Sequence, residues 1–595
     1  MKKLSVAAAL AVVSPVAMSA DMVLNPILVT ATRTAETADE TLAPVTVINR
    51  EEIEQSSAGN VTDLLRLQPG VDMSQNGGTG SSVNFYLRGT ESDHILVLVD
   101  GVRASSATTG AFTWQNLPLS QIERIEIVRG PRATLYGSDA VGGVIQIFTR
   151  EPEGATARVG GGTYDTYRAE AGFGGGEGGW SYGINAAYEE TEGFSSSNPD
   201  GFDYDPDDDG YENRSVSVRF GAPLGEQTRV QLRALHSDGE SEYDRGTINT
   251  LNQTLDSRLA TTLTPNWDST LQLGYATEQL ETESSDSSTI QTRRQSAEWQ
   301  NDVFLTDDDV MTLGLSARRD VGKNEDDGAG TTVFNEAIKN YAAFAHYTGR
   351  SGPMKVELGL RHDRHSEFGS HTTGQLAWSR RFARDWRFVA SAGTAFKAPT
   401  LNQLFHPGFG GFFAGNPDLK PEKSQSAELS LRWRTGSQSA SANAFYNRVE
   451  DLIAYSGPMS SAVNVDEARI PGLELIYKAA WRQWNVAANA TFQRPRNEAT
   501  DEPLIRRADT KGALVIGRRW LGQLNTRGEL EYVGEREDRS ASLDAYTLVN
   551  LATQWDMGAG FTLEGRIENV ADRDYTLVDG YNTPERTVYL GIRYQ

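Results

Sequence analysis

IERIEIVRGPRATLYGSDAVGGVIQIFTR, residues 122–150, is the stretch on which the fold turns. Ile122, Ile125, Ile127 and Val128 form a short apolar run that stops at Gly130-Pro131. Gly137, Gly142 and Gly143 then permit backbone turns that a side chain would block. Val144, Ile145, Ile147 and Phe148 make a second short strand, so the stretch has the strand-turn-strand character of a small compact domain. From about residue 153 onward the character changes to a long series of polar/apolar alternations without a helical period. A compact N-terminal unit therefore precedes a very long all-β unit.

The chain has 595 residues, too many for one ordinary core. Residues 1–20 read as a secretory signal. Lys2 and Lys3 are the basic start and Leu4 to Val13 the apolar run. Ala17-Met18-Ser19-Ala20 allows cleavage after Ser19 or Ala20. No later segment approaches the roughly 18 consecutive apolar residues of a membrane-spanning helix. A secreted soluble protein would give this pattern, and so would a transmembrane barrel, whose lipid face uses only every second residue. The chain has no cysteine, which excludes a disulfide framework and thiolate chemistry. Its formal net charge of -24 argues against a nucleic-acid partner and leaves room for divalent cations held by loop carboxylates.

Residues 21–34 hold an apolar, β-branched segment followed by a polar tract. Such a strand could add to another protein's sheet edge through main-chain hydrogen bonds. The pattern alone favours a first strand packed permanently into the domain that follows. Residues 35–152 read as a mixed α/β unit. Val45 to Ile48 is a strand and Glu51 to Gln55 a short polar helix. Asn60 caps a second helix over Val61 to Leu67, which ends before Pro69-Gly70. Phe85 to Leu87 and Ile95 to Val99 are strands, the latter followed by an Asp100-Gly101 turn.

Residues 153–595 alternate continuously. Leu429, Leu431 and Trp433 alternate with Glu428, Ser430 and Arg432; Val588, Leu590, Ile592 and Tyr594 alternate with Tyr589, Gly591 and Arg593. One face of each strand is apolar and the other polar. The region far exceeds a typical sandwich of roughly 100 residues. Short turns alternate with long acidic or Gly-rich connections, and the chain ends inside a strand that can close on the first. At roughly 20 residues per strand this is an all-β transmembrane barrel of about 22 antiparallel strands. A barrel of that size needs a plug in its lumen, and the N-terminal α/β unit can supply it.

Several motifs stand in a fixed order: Leu42-Ala43-Pro44-Val45-Thr46-Val47, Val61 to Val71, Gln75-Asn76-Gly77-Gly78, Leu87-Arg88-Gly89-Thr90, His94 to Arg103, Arg129-Gly130-Pro131 and Tyr136 to Gly143. Together they resemble the plug signature of the TonB-dependent outer-membrane receptors, and most nearly that family's cobalamin-transporter branch. The resemblance implies a monomer in outer-membrane lipid that imports cobalamin or a related corrinoid, driven by TonB and the inner-membrane proton-motive force. It also implies a TonB box over Pro26, Ile27, Leu28, Val29, Thr30, Ala31, Thr32 and Arg33. This overrides the local preference for a permanently packed strand. The last strand resembles the family's C-terminal box but ends Tyr594-Gln595, where a terminal aromatic is usual.

Asp205, Asp207, Asp209 and Gly210 reproduce the first half of an EF-hand loop, whose twelfth position is here Val216. Calcium takes six to eight oxygens, so others must contribute, and Tyr243, Asp244 and Asp256, in the next long loop, could do so. The resemblance implies the calcium set Ser195, Asp205, Asp207, Asp209, Tyr243, Asp244 and Asp256, with serine replacing the family's carboxylate at 195. It implies substrate contacts at Ser82, Asn84, Glu91, Thr109 and Gly110 on the plug apex and at Arg245, Arg507 and Glu537 on barrel loops. Phe396-Lys397-Ala398-Pro399 and Asn416-Pro417-Asp418-Leu419 resemble a paired receptor motif, with His406 between them as a candidate haem ligand. A haem or ferric-siderophore receptor of the same architecture is thus the alternative. A secreted β enzyme with paired carboxylates would leave the plug motifs unexplained, and no catalytic residue is assigned.

Overall fold

The computed structural model describes residues 27–28, 30–34, 36–201, 204–408, 413–456, 460–465, 467–539 and 541–595. The signal-like residues 1–20, and Pro26 and Val29 of the expected TonB box, lie outside them. Two short strands open the described chain, β1 (Ile27–Leu28) and β2 (Glu36–Thr37), paired antiparallel.

The N-terminal domain is built on β3 (Val45–Ile48), α1 (Arg50–Gln55), α2 (Val61–Arg66), β4 (Val71–Gln75), β5 (Val83–Leu87), β6 (Ile95–Val99), β7 (Val102–Arg103), β8 (Ile122–Arg129), α3 (Ala133–Tyr136) and β9 (Gly143–Thr149). Both longer helices begin where a side chain satisfies a backbone donor left free by the first turn. The Asn49 carboxamide accepts from the Glu52 amide, and Asn60 and Asp63 form a reciprocal capping box. The main sheet runs β3-β8-β9-β6-β7, with β6 and β9 parallel and its other pairs antiparallel. Ile125, Ile127, Ile145 and Ile147 pack from it against Leu64 and Leu65 of α2. Gly143 is required by close approach, since a Cβ there would sit 2.3 Å from the Val128 carbonyl oxygen. The quoted stretch thus forms the two central strands, with one helical turn between them.

From Gly154 the chain forms a closed barrel of 22 antiparallel strands. The last strand (Thr587–Tyr594) pairs with the first (Gly154–Gly162), with Arg158 opposite Arg593, so no edge remains. Residues 430 and 431 set the faces: Leu431 is 40% exposed on the outside, whereas Ser430 is buried and donates to Asn443 across the inner face. The N-terminal domain fills the lumen and meets the wall through polar groups and through apolar contacts such as Leu42 with Ala377 and Val389. Arg88 pairs with Glu474 at 2.7 Å and Glu428 at 2.9 Å, and Arg129 lies 3.5 Å from Glu474. A cavity of about 30 Å³ in this seam is lined by Arg88, Arg129, Pro131, Gly393 and Glu428, space for about two waters.

Candidate functional site

The long connections gather at one end of the barrel, above the plug apex. Ser82 is exposed just before β5, Asn84 is half-buried in it, and Thr109 is exposed in the loop after β7. Gly110 follows at φ 81°, where a Cβ would strike Asp93 and Thr400. The apex is bound to the wall by consecutive polar links. Glu91 pairs with Arg507 at 2.6 Å, Asp93 with Lys397 at 3.0 Å, and the His94 Nε2 with Glu422 at 2.8 Å. The Glu91 amide donates to His94 Nδ1, so the Nε2 proton is the one given to Glu422. The second oxygen of Glu422 accepts from the Ile453 amide in the loop above.

Two expected substrate contacts, Glu91 and Arg507, therefore engage each other. Arg507 is buried, with its guanidinium 4.1 Å from the centre of the Tyr86 ring. Arg245 is exposed at a hairpin tip and Glu537 is exposed in the connection after Leu524–Val533. The sequence reading missed α4 (Leu401–Phe405), which Thr400 caps. The first backbone amides of α4 donate across the mouth, Leu401 to the Ala107 carbonyl at 3.1 Å and Asn402 to the Thr108 carbonyl at 3.0 Å. The Thr400–Gln403 capping pair was the available signal for this helix. His406 ends it, half-buried; its Nδ1 accepts from the Gly408 amide, and burial pulls its pKa down.

The acidic connection after Trp180–Thr191 brings several expected calcium ligands together. Asp209 accepts from the Ser196 amide at 2.6 Å. Asp244 accepts from the Ser197 hydroxyl at 2.5 Å and the Asp205 amide at 3.4 Å, and Ser195 donates to the Asp205 carbonyl at 2.8 Å. Asp207 is exposed beside them and half-buried Tyr243 ends the neighbouring strand. Burial, then the Asp244 and Asp207 carboxylates, push the Asp209 pKa up despite its hydrogen bonds. The donor chemistry suits a hard cation. Among the described residues, however, no three carboxylates or imidazoles are arranged to hold one.

The structure corrects one expectation. Tyr243 pairs directly with Gly246, so Asp244-Arg245 is a two-residue turn rather than a long loop. Asp256 lies ten residues further down the strand Gly246–Thr264, where it is bound by Gln272 in the lumen. At roughly 3.3 Å per residue it is ~33 Å or more from the tip and does not join the cluster.

At the opposite end, the segment expected to be the TonB box is held on both sides. Leu28 is opposite Glu36 in the β1–β2 pair, so the strand has a partner within its own chain. Thr30 donates through its amide and hydroxyl to Glu126 and accepts from the Tyr136 hydroxyl. Ala31 and Thr32 are buried. The Arg33 guanidinium is paired with Glu298 and stacked over the Tyr136 ring at 4.3 Å. Nearby, Glu40 is held by Arg350, Arg381 and Arg387 of the barrel, and Glu36 by Lys355.

Residues 37–144 match the family model described as TonB-dependent Receptor Plug Domain, and residues 156–570 match TonB dependent receptor-like, beta-barrel. The chain is 32% identical over 631 aligned positions to the vitamin B12 transporter BtuB of Photobacterium profundum, covering 100% of both chains. It is 30% identical to the vitamin B12 transporter BtuB of Vibrio vulnificus, covering 93% of this chain and 91% of that one. Among solved structures it resembles the siderophore receptor PirA from Acinetobacter baumannii, with a TM-score of 0.79 at 19% identity, covering 92% of this chain and 98% of that one. It resembles the FrpB iron transporter from Neisseria meningitidis equally, with a TM-score of 0.79 at 14% identity, covering 92% and 99%. At those identities the structural likeness is one of fold.

Proposed function

This chain belongs to the TonB-dependent receptors of the outer membrane, and from that premise we propose that it imports cobalamin or a related corrinoid. The observation that carries the reading is the end-to-end likeness to vitamin B12 transporters. The corrinoid settles on the plug apex around Ser82, Asn84, Thr109 and Gly110, with Arg245 and Glu537 reaching it from the barrel loops. Binding there competes with the Glu91–Arg507 pair, whose members can turn to polar groups of the ligand. No bond is made or broken, and the work is mechanical.

The coupling is assigned to Pro26–Arg33. TonB pairs with this strand by main-chain hydrogen bonds, and tension passes through Thr30 and Arg33 to β8, β9 and the barrel wall. Calcium, held by Asp205, Asp207, Asp209 and Asp244 with help from Ser195 and Tyr243, would remove the repulsion among these carboxylates. It would thereby order the mouth before substrate arrives.

Equilibrium binding of cyanocobalamin, haemin and a ferric catecholate siderophore to the purified protein tests the substrate. Cyanocobalamin should bind, and the other two should neither bind at comparable concentration nor compete. Saturable binding of the siderophore with no binding of cyanocobalamin would overturn the assignment.

A further inference from the structure

The seam between plug and wall does not balance its own charge. Arg88, Arg129 and Arg132 of the plug line the seam cavity, and all three are buried. Two carboxylates of the wall answer them. Glu474 accepts from the Nε and Nη2 of Arg88, and Glu428 accepts from its Nη1 at 2.9 Å. Arg129 approaches Glu474 only to 3.5 Å. Arg132 donates from Nη1 to the Pro131 carbonyl at 3.1 Å and has no ion pair among the described residues. The groups behind the lining leave the surplus in place. Glu357 acts on Arg132 but shares Lys355 with Glu36. Arg432 feels the charge of Glu428, yet it spends its donors on the carbonyls of Thr41, Leu42 and Ala43. Arg88, Arg129, Arg132, Arg432 and Lys355 thus face Glu428, Glu474, Glu357 and Glu36, one carboxylate too few.

The hydrogen bonds are unbalanced in the same sense. The Nε and Nη2 of Arg129 and the Nε of Arg132 are buried without a partner. Orphaned donors of that kind are rare in a folded chain, and a buried charge without a counter-charge is costly. Two wall residues add to the excess. Gln375 and Asn447 line the same cavity, and their carbonyl oxygens are already taken by the hydroxyls of Thr134 and Ser424. What each has left to offer is an N–H₂ donor. The oxygens of Glu428, the one carboxylate in the lining, are occupied by Arg88. Water could satisfy these donors but would leave the charge uncompensated. An anion satisfies both. The cavity of about 30 Å³ has room for about two waters, which suits a halide and is too small for the four oxygens of sulfate or phosphate.

We propose that the seam cavity is a binding site for a small inorganic anion, a halide, held by Arg129 and Arg132 of the plug and by Gln375 and Asn447 of the wall. The ion supplies the negative charge that the side chains lack and ties the plug to the wall. Unlike Glu428 and Glu474 it is bonded covalently to neither part. It can leave into water when the seam opens, so it acts as a removable pin.

The test uses the full-length protein in neutral detergent. Crystals grown with bromide in place of chloride should show an anomalous peak between Arg129 and Arg132. In solution, protease cleavage of residues 35–152 reads the population of opened seam. Replacing gluconate, too large for the cavity, by chloride at equal ionic strength should slow cleavage about tenfold once chloride reaches roughly ten times its Kd. Arg132→Gln removes the surplus charge, so this variant should be cleaved equally in the two salts. Asn447→Leu takes a wall donor from the ion while leaving every charge in place, and it should shrink the chloride effect even if Arg132→Gln fails to assemble. The proposal is overturned if the bromide crystals hold only water in the cavity, or if wild type is cleaved equally in both salts. It is overturned too by a chloride effect that persists undiminished in the variants, which would be a general action of salt on the fold. A bromide peak with no chloride effect on cleavage would mark an adventitious ion only and would also overturn it.

Discussion

Ile125 of the plug and Leu431 of the barrel are both aliphatic residues in β-strands, yet Ile125 is fully buried and Leu431 is 40% exposed. The plug turns its apolar residues inward and carries a polar coat. The barrel turns its apolar residues outward to lipid and lines its lumen with polar groups. Much of their meeting surface is therefore polar on both sides, as the Arg88–Glu428–Glu474 contacts and the neighbouring cavity show. Beside apolar contacts such as Leu42 with Ala377 and Val389 and Val141 with Ala395 and Val449, much of the plug is therefore held in place by hydrogen bonds and ion pairs. Water can replace such contacts one at a time, so a plug can move without unfolding the wall around it.

The largest expected effect tests whether a seam of this kind must be pulled. Leu28→Pro removes a backbone donor and fixes φ in the proposed coupling strand. Cells carrying it should bind labelled cyanocobalamin normally and accumulate none; normal accumulation would take Leu28 out of the coupling segment. Next comes the seam itself. Arg88→Ala leaves buried Glu474 and half-buried Glu428 with one fewer cation and should cost roughly 3–5 kcal/mol of plug docking, read as protease sensitivity of residues 35–152 inside an intact barrel. Unchanged protection would show that the plug is held by something other than these ion pairs.

The outer half of the comparison is tested by Leu431→Arg, which should impair assembly by roughly 2–4 kcal/mol, more than Ser430→Arg does. Equal yields of heat-modifiable barrel would mean that the faces are assigned the wrong way round. The smallest effect concerns the mouth. Asp207→Asn with Asp209→Asn should abolish calcium's tightening of cyanocobalamin binding, a coupling of roughly 1–3 kcal/mol that a chelator removes from wild type. Asp209 has its pKa raised, so protons compete with the cation above the ordinary aspartate range. Calcium should therefore bind less tightly at pH 5 than at pH 7, and identical affinities would remove Asp209 from the ligand set.

Much of this architecture was legible in the residues. Period-two alternation is a local property, and it identified both the faces of the wall and the strand that closes it. Asn60 with Asp63 marked a helix start for the same reason. What could not be read depends on register between distant segments. Arg88 and Glu474 are 386 positions apart, and nothing near either one names the other. Asp256 misled because an acidic residue after a turn looks the same in a loop and on a lumen-facing strand. Its place was fixed only by the pairing of Tyr243 with Gly246.

The two amide donors of α4, which grip the carbonyls of Ala107 and Thr108, belong to the main chain. Every residue except proline supplies the same N–H, so this grip is insulated from side-chain change on either partner. Side chains lining the mouth can therefore change while the loop stays joined to the plug at the same two carbonyls.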